Sequence, residues 1–324
     1  MFNDVQDETE NFRTTLYRTP QGKILSVMGN LCKILSLDSH WGARLSMNEM
    51  SGKIMYDGVE KDEHFVNEVR AWVKDNYHLN FSIRDVRTAL EMQSTKSVIH
   101  PVREWLKTLK WDGVPRIHRI SKEVLHSTSS LAPIYIRRTL IGAVRRCFEP
   151  GTKMETIPVL IDKEGSFKFA FWKTLVGEDL FGSCVIGKYG RDVLTGIHQK
   201  FCVEFYAVEG TTNMSAVERL RGVITSSVDF FRAHYKVMIS RRPRSCFLVC
   251  NVNHEELLAT SAGAWRFWLI KCEGAPGLGF LKANREQIWA EAVHLCNAGE
   301  NHWLDEEQDA AREEEAYKIL KEKK

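Results

Sequence analysis

Residues 157–175 read IPVLI (157–161), then Asp162-Lys163-Glu164-Gly165-Ser166-Phe167-Lys168, then Phe169-Ala170-Phe171-Trp172-Lys173-Thr174-Leu175. The first run is short, continuously apolar and rich in branched residues, which predicts a strand covered on both faces. The last is amphipathic at helical spacing. A strand, a loop bearing glycine and lysine, and a helix, in that order, suggest a core in which backbone N–H groups and a lysine hold phosphate oxygens. An intact loop of this kind has the form GxxxxGK[ST], the final hydroxyl holding magnesium. Here only Gly165 and Lys168 of that pattern remain.

Working outward, the runs FCVEF (201–205) and CFLVC (246–250) repeat the texture of buried strands, and amphipathic stretches at 169–175 and 216–225 lie between them. The chain from Gly151 onward therefore reads as α/β. Upstream, residues 1–20 are polar and aperiodic, and are expected to fray. Helical spacing follows over 23–37, a small hairpin around Ser51-Gly52 within 43–58, and a helix over 62–77. Ser82 with Asp85 forms a capping-box start for a helix to about Met92. A short helix after His100-Pro101 stops at the turn Trp111-Asp112-Gly113-Val114-Pro115, and a longer one runs from about Pro133 to Cys147. Beyond Pro276 the period is helical again. The expected organisation is a flexible arm (1–20), a mainly helical N-terminal domain (21–150), an α/β core (151–274) and a C-terminal helical segment (275–324).

With 324 residues, 44% of them hydrophobic, the chain can bury a substantial core. No apolar run approaches the ~18 residues of a membrane span, and the start MFNDVQDETENFR lacks the apolar centre of a signal peptide, so a cytoplasmic, non-membrane protein is expected. The eight cysteines are scattered through apolar runs and read as reduced, buried thiols, with no metal site expected. Residues 1–20 carry two arginines against four acids and 305–324 five basic side chains against eight acids, so the segment between them is about +8 against a net +3 for the chain. That balance permits nucleic-acid binding.

The chain over about 22–304 resembles the virulence-associated protein E family of phages and genomic islands. The resemblance rests on His100-Pro101-Val102-Arg103 with Trp105-Leu106, on Trp111-Asp112-Gly113-Val114-Pro115-Arg116, and on Tyr135 with Arg137. It continues through Pro150-Gly151-Thr152-Lys153, Pro158-Val159-Leu160, Cys202-Val203-Glu204, Asp229 with Arg232 and Tyr235, Arg244, and Asn253. Gly263-Ala264-Trp265-Arg266-Phe267-Trp268, Gln287-Ile288-Trp289-Ala290-Glu291-Ala292 and Gly299-Glu300 with Trp303-Leu304 complete it. The resemblance implies a three-layer α/β P-loop core of the AAA+ or superfamily 3 helicase type, working as an oligomer on DNA, with a primase or another replication protein as partner. Carried over by residue, Lys168 and Gly165 belong to the phosphate loop, Glu204 is the acid of the Walker B strand, Asn253 the polar sensor, and Arg266 a cation directed at the γ-phosphate. The sequence departs from the family at Asp162 and Phe167, where glycines stand, at Phe169, where Ser or Thr stands, at Ala207, where a second acid stands, and at Trp265, where an arginine stands.

A carboxylate ~4 Å from a triphosphate oxygen costs about 4 kcal/mol at an effective dielectric near 20. Phe167 fills the backbone cradle, and Phe169 cannot ligate magnesium. No cofactor is therefore expected, and the leading reading is a pseudo-ATPase: a DNA-binding or oligomer-forming replication subunit. The rivals are an active helicase using ATP and magnesium, and an interaction protein that blocks a host or helper-phage replication complex. For contact with DNA, expected to be single-stranded, the candidates are Arg232, His234, Lys236, Arg241, Arg242 and Arg244, between the acid and sensor strands. The helix bearing Arg137, Arg138, Arg145 and Arg146 is a second, weaker candidate. Trp105, Trp111, Trp265 and Trp268 read as core or interface residues.

Overall fold

The computed structural model describes residues 12–161, 170–188, 190–207, 214–231, 240–252, 264–273 and 277–321. The chain separates into two compact units, divided in sequence between Glu104 and Trp105. In the first, α1 (Met28–Leu37) precedes strands β1 (Leu45–Asn48), β2 (Ile54–Tyr56) and β3 (Val59–Glu60), followed by α2 (His64–Tyr77), α3 (Ile83–Ser94) and β4 (Val98–Ile99). The sheet order is β3-β2-β1-β4, with β4 parallel to β1. The hairpin expected around Ser51-Gly52 is β1–β2, with Met47 opposite Ile54.

The Ser82–Asp85 capping box is formed, the Ser82 hydroxyl accepting from the Asp85 backbone N–H. The helix expected from residue 23 starts only at Met28. Residues 24 and 25 are held by the arm instead: Ile24 bridges Arg18, and the Asn30 amide donates to the carbonyls of Tyr17 and Leu25. Phe12 and Leu16 are buried with Leu31, Ile34, Val69 and Val73, so the chain is anchored from Phe12 onward. Burial of two such side chains outweighs the polar character of the surrounding arm.

Helix α4 (Pro101–Thr108) crosses the division. In the second unit it is followed by α5 (Ile120–Glu123), α6 (Ala132–Phe148), β5 (Ile157–Ile161), α7 (Ala170–Val176), β6 (Phe181–Val185), α8 (Arg191–Gln199), β7 (Cys202–Tyr206) and α9 (Met214–Thr225). Then come β8 (Val228–Phe231), β9 (Ser240–Pro243), β10 (Phe247–Val252), β11 (Phe267–Lys271), α10 (Leu278–Asn297) and α11 (Glu306–Lys321). Five strands form a parallel sheet in the order β11-β5-β10-β7-β6, and β8 pairs with β9 as a separate antiparallel hairpin. The three apolar runs of the sequence are its three central strands, as continuous burial requires. Strand β6 carries glycine, serine and cysteine at the sheet edge and gave no apolar run to read.

Side-chain alternation divides the sheet into two faces. Ile157, Val159, Val203, Phe205, Leu248, Cys250 and Leu269 pack with Ile197 of α8 and with Val217, Leu220 and Ile224 of α9. On the other face, Trp268 stacks on Tyr135 of α6 at 5.3 Å, and Phe247 meets Trp172 of α7 and Trp289 of α10. The change of texture at Gly151 falls inside this second unit, because α6 packs against the sheet that follows it.

Candidate functional site

Glu204 lies at the middle of β7, on the face shared with Phe247 and Trp268, and has no exposed surface. A carboxylate in that position needs a donor, since burial of an unpaired one is expensive. Asn251 of β10 provides it: its side-chain amide donates to Glu204 Oε1 at 2.5 Å, and Asn251 is itself fully buried. The pairing follows from register. Glu204 stands beside Val249, so Asn251, two residues further along, projects from the same face. Burial, and then the nearby Glu204 carboxyl, push the Cys202 and Cys250 thiols up, so both remain protonated and apolar.

Asn251 also stands beside Leu160 of β5, one residue before that strand ends at Ile161. Asn251 thus sits near the carboxyl edge of the sheet, and Glu204, two residues back in register, lies within it. Gly165, Lys168 and Asn253 lie outside the described residues. Asn251 is not among the residues singled out from the sequence, where the resemblance marks Asn253 as the polar sensor. The available signal was a lone amide within the buried run FLVCNV.

Arg266 is not brought to this edge. It immediately precedes β11, whose Phe267 is paired with Ile157 at the start of β5. Five residues at about 3.3 Å each separate the two edges by roughly 16 Å. Its guanidinium lies 4.2 Å from the ring of Trp265, which is partly exposed.

Of the DNA-contact candidates, Arg232, His234 and Lys236 lie outside the described residues, and Arg241 is exposed on β9. Arg242 is half-buried opposite Asp229. The assignment of Arg244 to DNA contact is incorrect. Its side chain is 1% exposed, its Nε and Nη2 donate to the two Asp229 oxygens at 2.6 and 2.7 Å, and Nη1 donates to the Val223 carbonyl. His198 of α8 completes the cluster, Nε2 lying 2.9 Å from Asp229. Burial opposes ionisation of Asp229, but the hydrogen bonds from Arg244 and His198 outweigh it and hold the carboxyl well below its ordinary range. This cluster ties the root of the β8–β9 hairpin to α8 and α9.

The arginine-bearing helix makes structural pairings of its own. Arg137 and Arg138 both donate to the Glu300 carboxylate, and Arg145 donates to the Glu300 carbonyl. Arg146 is buried, and desolvation lowers its pKa to about 10. Among the described residues, no cluster of three side chains could hold a metal ion, and no helix is long and apolar enough to cross a membrane.

The model of the virulence-associated protein E-like domain matches residues 106–320. The chain belongs to the virulence-associated protein E-like family. Two apo structures of the NrS-1 C-terminal region are similar in fold. The first has a TM-score of 0.53 at 12% identity and covers 86% of this chain and 73% of the other. The second has a TM-score of 0.52 at 10% identity and covers 84% and 71%. No curated protein matches the sequence.

Within this family member, several of the ordered motifs act as clamps. Glu291 of α10 accepts from the backbone N–H groups of Arg116 and Ile117, at 2.6 and 3.0 Å, while Gln287 accepts from Asp112 N–H and donates to the Lys110 carbonyl. The QIWAEA helix therefore fixes the WDGVPR turn. Glu300 holds α6 through the guanidinium groups of Arg137 and Arg138 instead.

Proposed function

We propose that the chain is a DNA-binding, oligomer-forming subunit in the replication of a mobile element, which keeps a P-loop ATPase-type core without ATP turnover. The observation that carries this reading is the place of the Glu204–Asn251 pair in the sheet. In the order β11-β5-β10-β7-β6, the connection leaving β5 runs toward β6 and the connection leaving β10 runs the opposite way, across β5 to β11. The carboxyl end of β5 is thus a topological switch point, where open α/β sheets place their ligands. The amide of Asn251 stands there, hydrogen-bonded to an acid two residues deeper in the sheet, beside a strand that the sequence follows with Gly165 and Lys168.

The same residues fit poorly with bound ATP and magnesium. A working acid of this strand must face the water shell of the metal, whereas Glu204 is fully buried and one of its oxygens is occupied by Asn251. Asp162, Phe167 and Phe169 add a like charge, an occluding ring and the loss of a hydroxyl ligand. Titration with magnesium-ATP and a phosphate-release assay test the proposal: the unaltered chain is expected to show neither tight binding nor turnover. Magnesium-dependent turnover by the unaltered chain, abolished by Lys168→Ala, would refute it and establish the active helicase instead.

A further inference from the structure

The β8–β9 hairpin has an inner and an outer face. Asp229 and Phe231 point inward, Phe231 lying against the His198 ring with centroids 5.4 Å apart. Two-residue alternation turns Val228 and Phe230 outward. Phe230 is 66% exposed, more than any other large apolar side chain among the described residues. Its cross-strand partner is Arg241, which is also exposed. Directly opposed residues of an antiparallel pair hold their Cβ atoms about 5 Å apart on one face, so ring and guanidinium form a single outward surface. Folding gains little from an aromatic ring left in water, while a bare ring beside a cation suits a ligand with alternating flat apolar faces and negative charges.

We propose that Phe230 is a base-stacking residue: its ring covers the face of one unpaired nucleobase while Arg241 holds an adjoining phosphate. The inference rests on the DNA-binding reading above and narrows its ligand to single-stranded DNA. In a duplex the faces of each base are already covered by its neighbours, so a flat ring on a hairpin has nothing to stack on. The inward anchor formed by Asp229, Arg244 and His198 holds the stem from behind and leaves the Phe230–Arg241 face presented.

The test uses the full chain, a fluorescent oligothymidylate of about twenty nucleotides and a duplex of equal length, each titrated over a range of salt. Phe230→Ala is expected to weaken single-strand binding roughly tenfold, within the span of base–aromatic stacking, without altering the slope of log K against log salt. Phe230→Leu, which keeps an apolar side chain but no π face, should lose as much, and Phe230→Tyr should restore binding. Arg241→Ala should instead flatten the single-strand slope by about 0.7. Duplex affinity should not respond to Phe230→Ala. Single-strand affinity unchanged by Phe230→Ala, equal loss on both DNAs, or a change of oligomer size in place of affinity would overturn the stacking role. Failure of the unaltered chain to bind either DNA would overturn the DNA reading itself, a separate and distinguishable result.

Discussion

Arg244→Ala should destabilise the second unit by about 3–5 kcal/mol, the range seen when one partner of a buried ion pair is removed. The magnitude follows from the geometry. Arg244 is 1% exposed and donates three hydrogen bonds, two to Asp229 and one to the Val223 carbonyl. Its removal leaves a largely buried carboxylate that keeps its contacts with His198 and Ser226 but loses its two-pronged guanidinium. For a unit of this size each kcal/mol moves Tm by about 2–4 °C, so a fall on the order of 10 °C is expected. Urea unfolding followed by circular dichroism measures it, and the double variant Arg244→Met with Asp229→Leu should recover most of the loss, because the uncompensated charge is then gone. A cost for Arg244→Ala below about 1 kcal/mol, the value for an exposed pair, would refute the anchoring argument. A normal midpoint together with a flattened DNA salt slope would return Arg244 to the DNA surface.

Two further expectations concern the rest of the molecule. His100 is buried and its Nδ1 accepts the Arg103 backbone N–H; burial first, and then the Arg103 charge, lower its pKa from 6.5 to about 4. A lowered folded-state value means stability is fully present above pH 6.5 and declines as pH falls toward 4, by an amount on the order of 3 kcal/mol over the full window. His100→Gln should remove that part of the acid dependence, and an unchanged pH profile of the urea midpoint would refute it. Self-association is the second: Trp265 and Arg266 stand at the amino edge of the sheet, where the partly exposed ring with the guanidinium 4.2 Å from it offers a surface for a neighbouring copy. Light scattering at high concentration should give more than one copy, reduced by Trp265→Ala, and a strict monomer with and without DNA would dispose of it.

The sequence by itself determined the character of the second unit and the family. IPVLI, FCVEF and CFLVC announced buried strands because a parallel sheet covered on both faces admits few polar residues, and these became β5, β7 and β10. Glu204 was legible for the same reason: a charge within such a run demands a partner. The local signals of the Ser82 capping box and the Ser51-Gly52 turn were also sufficient, since both are complete within a few residues. What the sequence could not decide was which polar groups meet. Asn251 reaches Glu204 because parallel register, set by packing, brings together strands 47 residues apart in sequence. Arg244, Arg137, Arg138 and Arg145 looked like a nucleic-acid surface in a basic chain. Only the fold brings Asp229 and Glu300 against them, and a guanidinium buried against a carboxylate, as Arg244 is, has little left to offer a phosphate. Phe230 escaped notice because VDFF has no reading of its own. Its exposure exists only once β9 pairs with β8 and turns one phenylalanine inward and the other out.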